Sequence, residues 1–460
     1  MDPSAKPRPP LPGGPYLVVG LARSGQAAAR MLAVRGEEVI GSDAASPDGA
    51  EGLRPLGVEI NLDGDGVGLL DRARCLVKSP GVPGEAAVIA AARERGIPVV
   101  GELELAWRLL PNRFVAVTGT NGKTTVTELV GHLWRTAGEP AAVAGNVGTP
   151  LASLVGEVAP EATIVAECSS FQLEDSEFFA PECALILNLA PDHLDRHRTI
   201  DRYRDAKLRA FANQGNDDIA IYNRSDPALR GHDLGGCGRR IGFCADRAAD
   251  PDCSYSLAAG AIFAGAEPLL DAAALPLLGP HNAVNATAAA AVALELGLGR
   301  DAVRIGLRSF PGVPHRLERV GERDGVLYVN DSKATNVAAA LTALRAFDGG
   351  VHAILGGSSK GEPFDPLAGP VAERCVACYL IGETAAEIAA ALAPATRAGV
   401  ALRRCGDLEA AVAAAAAAAR PGEVVLLAPA CASYDAFRDF EERGERFRAL
   451  VGGNVRHEVL

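Results

Sequence analysis

Short apolar runs alternate along the chain with longer Ala- and Leu-rich stretches whose apolar positions recur every three or four residues. A strand covered on both faces reads as a continuous apolar run, and a crossover helix after it reads as a one-sided stripe, so the alternation predicts parallel α/β sheets. Tyr16-Leu17-Val18-Val19 is the first predicted strand, with a helix over about Gln26–Arg35 and a second strand from Val39 to near Asp43. A second unit opens at Phe114–Val117. Its Gly-rich turn leads into a helix with Val126, Leu129, Val130 and Leu133 on one side. Further strands are expected at Thr163–Ala166, Ala184–Leu187 and Ile219–Tyr222, and a helix in the Ala-rich stretch after Asn285. Pro311-Gly312-Val313-Pro314 then breaks the pattern.

Beyond that break the alternation resumes. Strands are expected at Val326–Val329, Ala353–Leu355, Val376–Leu380 and Val424–Leu427, with helices at about Asn336–Phe347, Ala385–Leu392 and Leu408–Ala419. The last helix is read with Phe437, Phe440 and Phe447 on one stripe and its Arg and Glu residues elsewhere. The whole reads as α/β in three domains: a Rossmann-like domain over 1–105, a central P-loop ATPase-like parallel-sheet domain over 106–312, and a C-terminal Rossmann-like α/β domain over 313–460.

Composition narrows the function class. A length of 460 residues suits a few domains of about 100–200 residues each. The net charge of -12 supplies no basic excess for a nucleic acid, and the longest apolar stretches are strand-sized, which argues against membrane insertion. The polar, Pro-rich start lacks the pattern of a signal peptide. Ten scattered cysteines read as free thiols in a reducing compartment, so the protein is expected to be cytoplasmic. Cys375-Val376-Ala377-Cys378 lies inside an apolar run and reads as buried strand rather than a metal site.

The strongest chemical signal is Thr118-Gly119-Thr120-Asn121-Gly122-Lys123-Thr124-Thr125, set between a predicted strand and a predicted helix. Glycines there let backbone amides converge on phosphate oxygens, Lys123 adds a charge, and Thr124 offers a hydroxyl to Mg²⁺. Gly20-Leu21-Ala22-Arg23-Ser24-Gly25 is a weaker turn: Ala22 stands where a dinucleotide fingerprint wants glycine, though Asp43 follows at the distance of a ribose-binding acid. It is read either as a dinucleotide turn or as a Rossmann-like turn that binds none. Glu167, at the end of a strand in Glu167-Cys168-Ser169-Ser170-Phe171-Gln172-Leu173-Glu174, stands where a second metal ligand would lie. Asp192-His193-Leu194-Asp195-Arg196-His197 clusters acids and imidazoles after another strand, as either structural residues or ligands. Lys207 has no local signal and reads as a surface lysine.

Together with His281-Asn282-Ala283-Val284-Asn285, Pro314-His315-Arg316, Asn330-Asp331-Ser332-Lys333-Ala334-Thr335-Asn336 and Pro429-Ala430-Cys431-Ala432-Ser433, these motifs resemble the Mur ligase family over nearly the whole chain. The resemblance implies an ATP- and Mg²⁺-dependent ligase that adds D-glutamate to UDP-N-acetylmuramoyl-L-alanine through an acyl phosphate, in the making of peptidoglycan precursors. Gly119, Thr120, Asn121, Gly122, Lys123, Thr124 and Thr125 are implied to hold the phosphates of ATP, and Asn282, Asn285, Arg316 and Asp331 the rest of the nucleotide. Two Mg²⁺ ions are implied, one on Thr124 and Glu167, the other on His193 and a Lys207 carbamylated by CO₂. Catalytic roles fall to Lys123, His193 and Lys207. Arg23, Ser24 and Ser42 are implied to hold the uridine diphosphate, which replaces a dinucleotide at the first turn, and Asn146 the muramoyl group. Lys333, Thr335, Lys360, Ser433 and Phe440 are implied to form the amino-acid site. Asp43 departs from the basic residue some members carry beside Ser42, and Tyr434 from a leucine beside Ser433. The expected partners are these small molecules alone, with no nucleic acid, and the expected protein is a monomer whose third domain closes on its second. The rivals are a relative adding another amino acid or acting on a folate, an NAD-dependent dehydrogenase built on the Gly20 turn, and a nucleotide-binding switch protein. The second phosphate loop and the metal-site residues disfavour the last two.

Overall fold

The structure, a computed structural model, describes residues 6–246, 250 and 253–452. The first sheet holds β1 (Tyr16–Val19), β2 (Val39–Ser42), β3 (Glu59–Asn61), β4 (Cys75–Lys78) and β5 (Val99–Gly101), all parallel, in the order β3-β2-β1-β4-β5. The strand order reverses between β1 and β4, which opens a crevice at their carboxyl ends.

The second sheet holds β6 (Phe114–Thr118), β7 (Ala141–Gly145), β8 (Thr163–Glu167), β9 (Cys183–Ile186), β10 (Ile219–Asn223), β11 (Arg239–Cys244), β12 (Tyr255–Ala258), β13 (Ala261–Ala264) and β14 (Glu267–Asp271). Its order is β14-β13-β12-β11-β10-β9-β6-β8-β7, parallel from β7 to β12 and antiparallel beyond. Phe114 through Val117 are wholly buried, as a central parallel strand requires. The helix Lys123–Thr136 buries Val126, Leu129, Val130 and Leu133, the predicted side.

The third sheet holds β15 (Glu318–Arg323), β16 (Val326–Asn330), β17 (Val351–Gly356), β18 (Cys375–Ile381), β19 (Ala401–Gly406) and β20 (Val424–Leu427), in the order β15-β16-β20-β17-β18-β19, with only the edge strand β15 antiparallel. A bulge at Val376 pairs Val351 with Cys375 and His352 with Ala377, so Val376 turns to solvent while Cys375 and Cys378 enter the same core cluster. The thiols are packing groups, as expected.

Three elements differ from their predicted form. The first helix begins at Arg23, not Gln26, directly after the Gly20 turn. The Ala-rich helix begins earlier too, at Pro280, whose fixed φ suits a first turn. The last helix runs over Phe440–Gly452, so Phe437 lies outside it, and its buried positions are Arg443, Gly444, Phe447 and Val451. An arginine therefore occupies the inner face that the aromatic stripe was expected to fill.

The chain divides into two compact units, one of 1–274 with 284–309 and one of 275–283 with 310–460. The boundary expected near 312 thus gains a detached piece: Leu275–Ala283 goes with the second unit, where Leu278 packs on the core cluster around Leu344 and Leu355.

Within the first unit, the helix Glu102–Leu109 binds the first sheet to the second. The Glu104 carboxyl, 1% exposed, accepts hydrogen bonds from the successive amides of Glu177, Phe178 and Phe179, and Arg108 pairs with it at 2.7 Å. Glu102 accepts from the Ala152 amide at 2.8 Å, and burial pushes its carboxyl up to about 7. Lys78, at the end of β4, pairs at 2.5 Å with Asp175, both side chains buried. Glu104→Ala strands buried amides and an arginine together. It is expected to destabilise the first unit by about 3–5 kcal/mol, read as a lowered midpoint in urea denaturation of the full chain; an unchanged midpoint contradicts this account of the junction.

Candidate active site

At the crevice of the first sheet lies a cavity of about 560 Å³ lined by Gly20, Arg23, Ser24, Ser42, Asn146 and Gln172, among others. Four residues expected at the uridine diphosphate and muramoyl group thus share one space, although they come from three separate segments. Gly20 takes φ 86°, and a Cβ there would lie 2.6 Å from Val82 Cγ2. The turn is held from behind: Ser79 Oγ donates to the Gly20 carbonyl at 2.6 Å, and the Asp43 carboxylate accepts from the amides of Leu21 at 2.6 Å and Ala45 at 2.9 Å. Asp43 therefore braces the turn with both oxygens while it lines the same cavity.

The second turn follows β6. Gly119 adopts φ 143° and Gly122 φ 86°. A Cβ on Gly119 would meet Leu187 Cβ at 3.0 Å, and one on Gly122 would meet Asn285 Oδ1 at 2.6 Å. The second contact brings Asn285 to the loop, from the helix Pro280–Glu295. Gly122 is the N-cap of the helix Lys123–Thr136 and its side-chain-free position provides no cap, the kind of helix start that suits an anion. The amides of Thr120 and Asn121 are taken instead by the carbonyl and side chain of Asn188, at 3.0 and 2.8 Å. The loop's outer half is thus a braced frame and its helix end the anion cradle.

Two lysines meet behind this cradle. Lys123 Nζ donates to the carbonyls of Gly119 and Thr120 at 2.9 and 2.8 Å, and Lys207 Nζ donates to the same Gly119 carbonyl at 2.8 Å. Lys207 is 1% exposed, which overturns its local reading as a surface lysine. The helix Ile200–Ala212 buries it beside the Tyr203 ring, 4.5 Å from the centroid. Desolvation first, then the neighbouring Lys123, brings its ammonium down from 10.5 to about 7.

Glu167 ends β8 nearly buried, and Asn146 Nδ2 donates to its Oε1 at 3.0 Å. His193 is about half exposed, with φ 50°, and its ring lies 4.8 Å from Phe171 and 3.6 Å from the Asp192 carboxylate. His197 is buried, hydrogen-bonds Ser170 Oγ at 2.9 Å and stacks on Phe171. The two imidazoles, ambiguous in the sequence, therefore separate: His197 is a packing residue and His193 remains open to a ligand. No three His, Cys, Asp or Glu side chains converge as a metal cluster among the described residues. Glu167 and the Thr124 hydroxyl are nonetheless hard oxygen donors of the kind Mg²⁺ takes, and Thr124 directly follows the glycine-containing turn and Lys123.

In the second unit, candidate residues lie on loops at the carboxyl ends of β16, β17 and β20, three neighbours in the sheet. Lys333 and Thr335 follow β16, and Lys360 follows β17, its Nζ 3.3 Å from Thr335 Oγ1. Ser433 follows β20 and is 2% exposed. Lys333 Nζ lies 5.7 Å from the Phe440 ring centroid. Asp331, 7% exposed, accepts from the Leu317 amide at 3.2 Å; burial raises its carboxyl to about 6 against the pull of Arg316. Asn282 Nδ2 donates to the Leu278 carbonyl at 2.7 Å.

Sequence reasoning missed Arg443, Lys78, Glu102, Glu104 and Asn188 as builders of these sites. A charge spaced like a core residue in a helix was the available signal for Arg443 and was read as surface.

Comparison with known proteins gives a consistent answer. Residues 15–101 match the MurD-like N-terminal domain of Mur ligases, 117–293 the Mur ligase middle domain, and 315–431 the Mur ligase glutamate ligase domain. Proteins named UDP-N-acetylmuramoylalanine–D-glutamate ligase are similar along the whole chain. The one from Acidobacterium capsulatum is 41% identical, covering 96% of each chain, and that from Pelotomaculum thermopropionicum is 43% identical, covering 95% of this chain and 96% of its own. A solved structure of UDP-N-acetylmuramate-alanine ligase from Thermotoga maritima aligns with a TM-score of 0.60 at 19% identity, over 96% of this chain and 99% of that one, which is likeness of fold.

A lysine whose pKa drops on folding is penalised while it is charged. Here the penalty is full below about 7 and fades as pH rises toward 10.5. In CO₂-free buffer, wild type is therefore expected to gain stability over Lys207→Met as pH rises through that window. A pH-independent difference in denaturation free energy sinks the claim.

Proposed function

The chain belongs to the Mur ligase family, and from that premise we propose that it is an ATP-dependent ligase joining D-glutamate to UDP-N-acetylmuramoyl-L-alanine in peptidoglycan precursor synthesis. The observation that carries the phosphoryl-transfer part is the pair of lysines on one loop carbonyl, Lys123 and Lys207 on Gly119. The acceptor is taken from the names of the full-length relatives. The domains of the proposal are 1–105 for the UDP group, 106–312 for ATP, and 313–460 for the amino acid.

A carboxylate resists an amine because it is an anion with no good leaving group. Transfer of the γ-phosphoryl group to the L-alanine carboxylate gives an acyl phosphate. Attack by the amine of D-glutamate gives a tetrahedral intermediate, and its collapse breaks the bond to phosphate and leaves an amide. In this reading the first-turn amides at Gly122–Thr125 hold the phosphates of ATP with Lys123, in a frame fixed by Thr120 and Asn121. Asn285 contacts the nucleotide in the first unit, and Asn282, Arg316 and Asp331 do so in the second. Arg23, Ser24 and Ser42 hold the uridine diphosphate, and Asn146 the muramoyl group. Lys360, beside Thr335, pairs with a glutamate carboxylate, and Lys333, Ser433 and Phe440 complete that site.

Mg²⁺, two ions when bound, offsets the charge of the assembled anions, one held by Thr124 and Glu167 and the other by His193 and Lys207. As an ammonium Lys207 is no ligand. A lysine in its neutral amine form has the free electron pair that would attack CO₂; an N–C bond forms as one C=O π bond opens, one N–H proton is released to solvent, and the carbamate keeps one N–H for the Gly119 carbonyl while presenting two oxygens. The protein is proposed to work in the cytoplasm as a monomer. No helix among the described residues is long and apolar enough to cross a membrane.

The test is phosphate release from ATP in the presence of UDP-N-acetylmuramoyl-L-alanine, with D-glutamate, L-glutamate and other amino acids offered in turn. Release is expected with D-glutamate alone, and no amino-acid-dependent release defeats the reading. Lys207→Ala is expected to lower turnover at least about a hundredfold. In wild type, ¹³C-bicarbonate should give a carbamate carbon signal that the variant lacks. Near-normal turnover or the same signal in the variant refutes the carbamate.

A further inference from the structure

Arg443 lies on the inner face of the helix Phe440–Gly452 with 0% of its surface exposed. A buried guanidinium usually faces a carboxylate, because taking a cation out of water is costly without a counter-charge. This one instead hydrogen-bonds neutral oxygens. Nε donates to Ser332 Oγ at 2.9 Å, Nη2 to the carbonyls of Ser332 at 2.9 Å and Cys431 at 3.1 Å, and Nη1 to the carbonyl of Ala432 at 3.1 Å. Asp435 attracts it through space without a direct hydrogen bond, and its carboxylate accepts from the Glu383 amide. Ser332 Oγ in turn donates to the Phe440 carbonyl at 2.8 Å.

These bonds join the three loops that carry the candidate amino-acid site. Ser332 precedes Lys333, Cys431 and Ala432 precede Ser433, and the Ser358 amide of the Lys360 loop donates to the Ala432 carbonyl at 3.0 Å. The approach is so close that a Cβ on Gly357 would lie 2.1 Å from that carbonyl and 3.1 Å from Nη1.

We propose that Arg443 is the positioning residue of the amino-acid site: its fork fixes the loops of Lys333, Lys360 and Ser433 against one another, and its buried charge favours an incoming amino acid that carries a second carboxylate. The proposal rests on the amino-acid site assigned above. In the low-dielectric interior a cation hydrogen-bonded only to neutral dipoles, with Asp435 acting on it through space alone, projects its field toward the loops it holds, where a substrate carboxylate adds a second opposing charge. Lysine keeps the charge but loses the fork, and methionine loses both.

The experiment uses the full-length protein, wild type, Arg443→Lys and Arg443→Met. Steady-state phosphate release is measured against each substrate, and ADP–ATP exchange is measured with UDP-N-acetylmuramoyl-L-alanine and no amino acid, which reports acyl-phosphate formation alone. Arg443→Lys is expected to raise the KM for the amino acid about tenfold and Arg443→Met further, with the KM for ATP and the exchange rate within about twofold of wild type. Equal loss in exchange and in amino-acid use would mean a general structural role and overturn the proposal, as would an unchanged KM for the amino acid. If Arg443→Met does not fold, Arg443→Lys decides by the same criteria. Wild type using some other amino acid defeats the D-glutamate reading and leaves the Arg443 split to be measured on that amino acid. Wild type using none overturns both.

Discussion

The carbonyl oxygen of Gly119 is the point on which the first unit's chemistry depends. It accepts from Lys123 within its own loop and from Lys207, on a helix far along the chain. The two lysines share that oxygen, but only Lys207 is buried, and Asp192 and Glu167 only partly counter its desolvation and the charge of Lys123. Burial and the neighbouring charge select Lys207, whose ammonium falls to about 7. Lys123 starts a helix whose N-terminus no side chain caps, a place suited to an anion. Before any ligand arrives, then, the two lysines already differ: Lys207 is buried with its ammonium depressed, and Lys123 stands at the start of a helix.

That geometry holds only if the elements around it keep their register. Asn188 clamps the loop to the end of β9, and Thr120 Oγ1 ties it to Ala190 and Tyr203. Farther out, Glu102, Glu104 and the Lys78–Asp175 pair bind the first sheet to the segment that carries Glu167 and the helix after it. Asn146 shows the consequence: it lines the cavity of the first sheet and hydrogen-bonds Glu167, so the substrate pocket and the candidate metal ligand share one side chain.

What the sequence revealed follows the same physics. β1 and β20 were legible to the residue because each is a short run buried on every side, whose apolar pattern has no other reading. The phosphate loop was legible because its chemistry needs glycine at fixed places. The edge strands β14 and β15, and β13 beside β14, were not, since a half-exposed strand lacks a continuous apolar run. Lys207, Glu104 and Arg443 were misread or passed over for a common reason. A charged side chain is placed inside by partners from distant segments, and no local window contains them. For Lys207 only the whole ordered set of motifs carried the information.

The partners of these buried charges separate two kinds of role. Lys78 and Arg108 each meet a carboxylate, and they join one sheet to another. Lys207 and Arg443 hydrogen-bond only carbonyl and hydroxyl oxygens, and each lies against loops that the proposed chemistry uses. A paired buried charge is electrostatically complete and suits a joint. One bonded to neutral dipoles still costs desolvation energy that an anion or a change of protonation can recover. Retaining two such residues costs stability in the free protein, a cost that the proposed carbamate at Lys207 and the proposed substrate carboxylate near Arg443 would each reduce. The same reasoning applies to Asp43: its two amide hydrogen bonds brace the turn while the residue still lines the cavity.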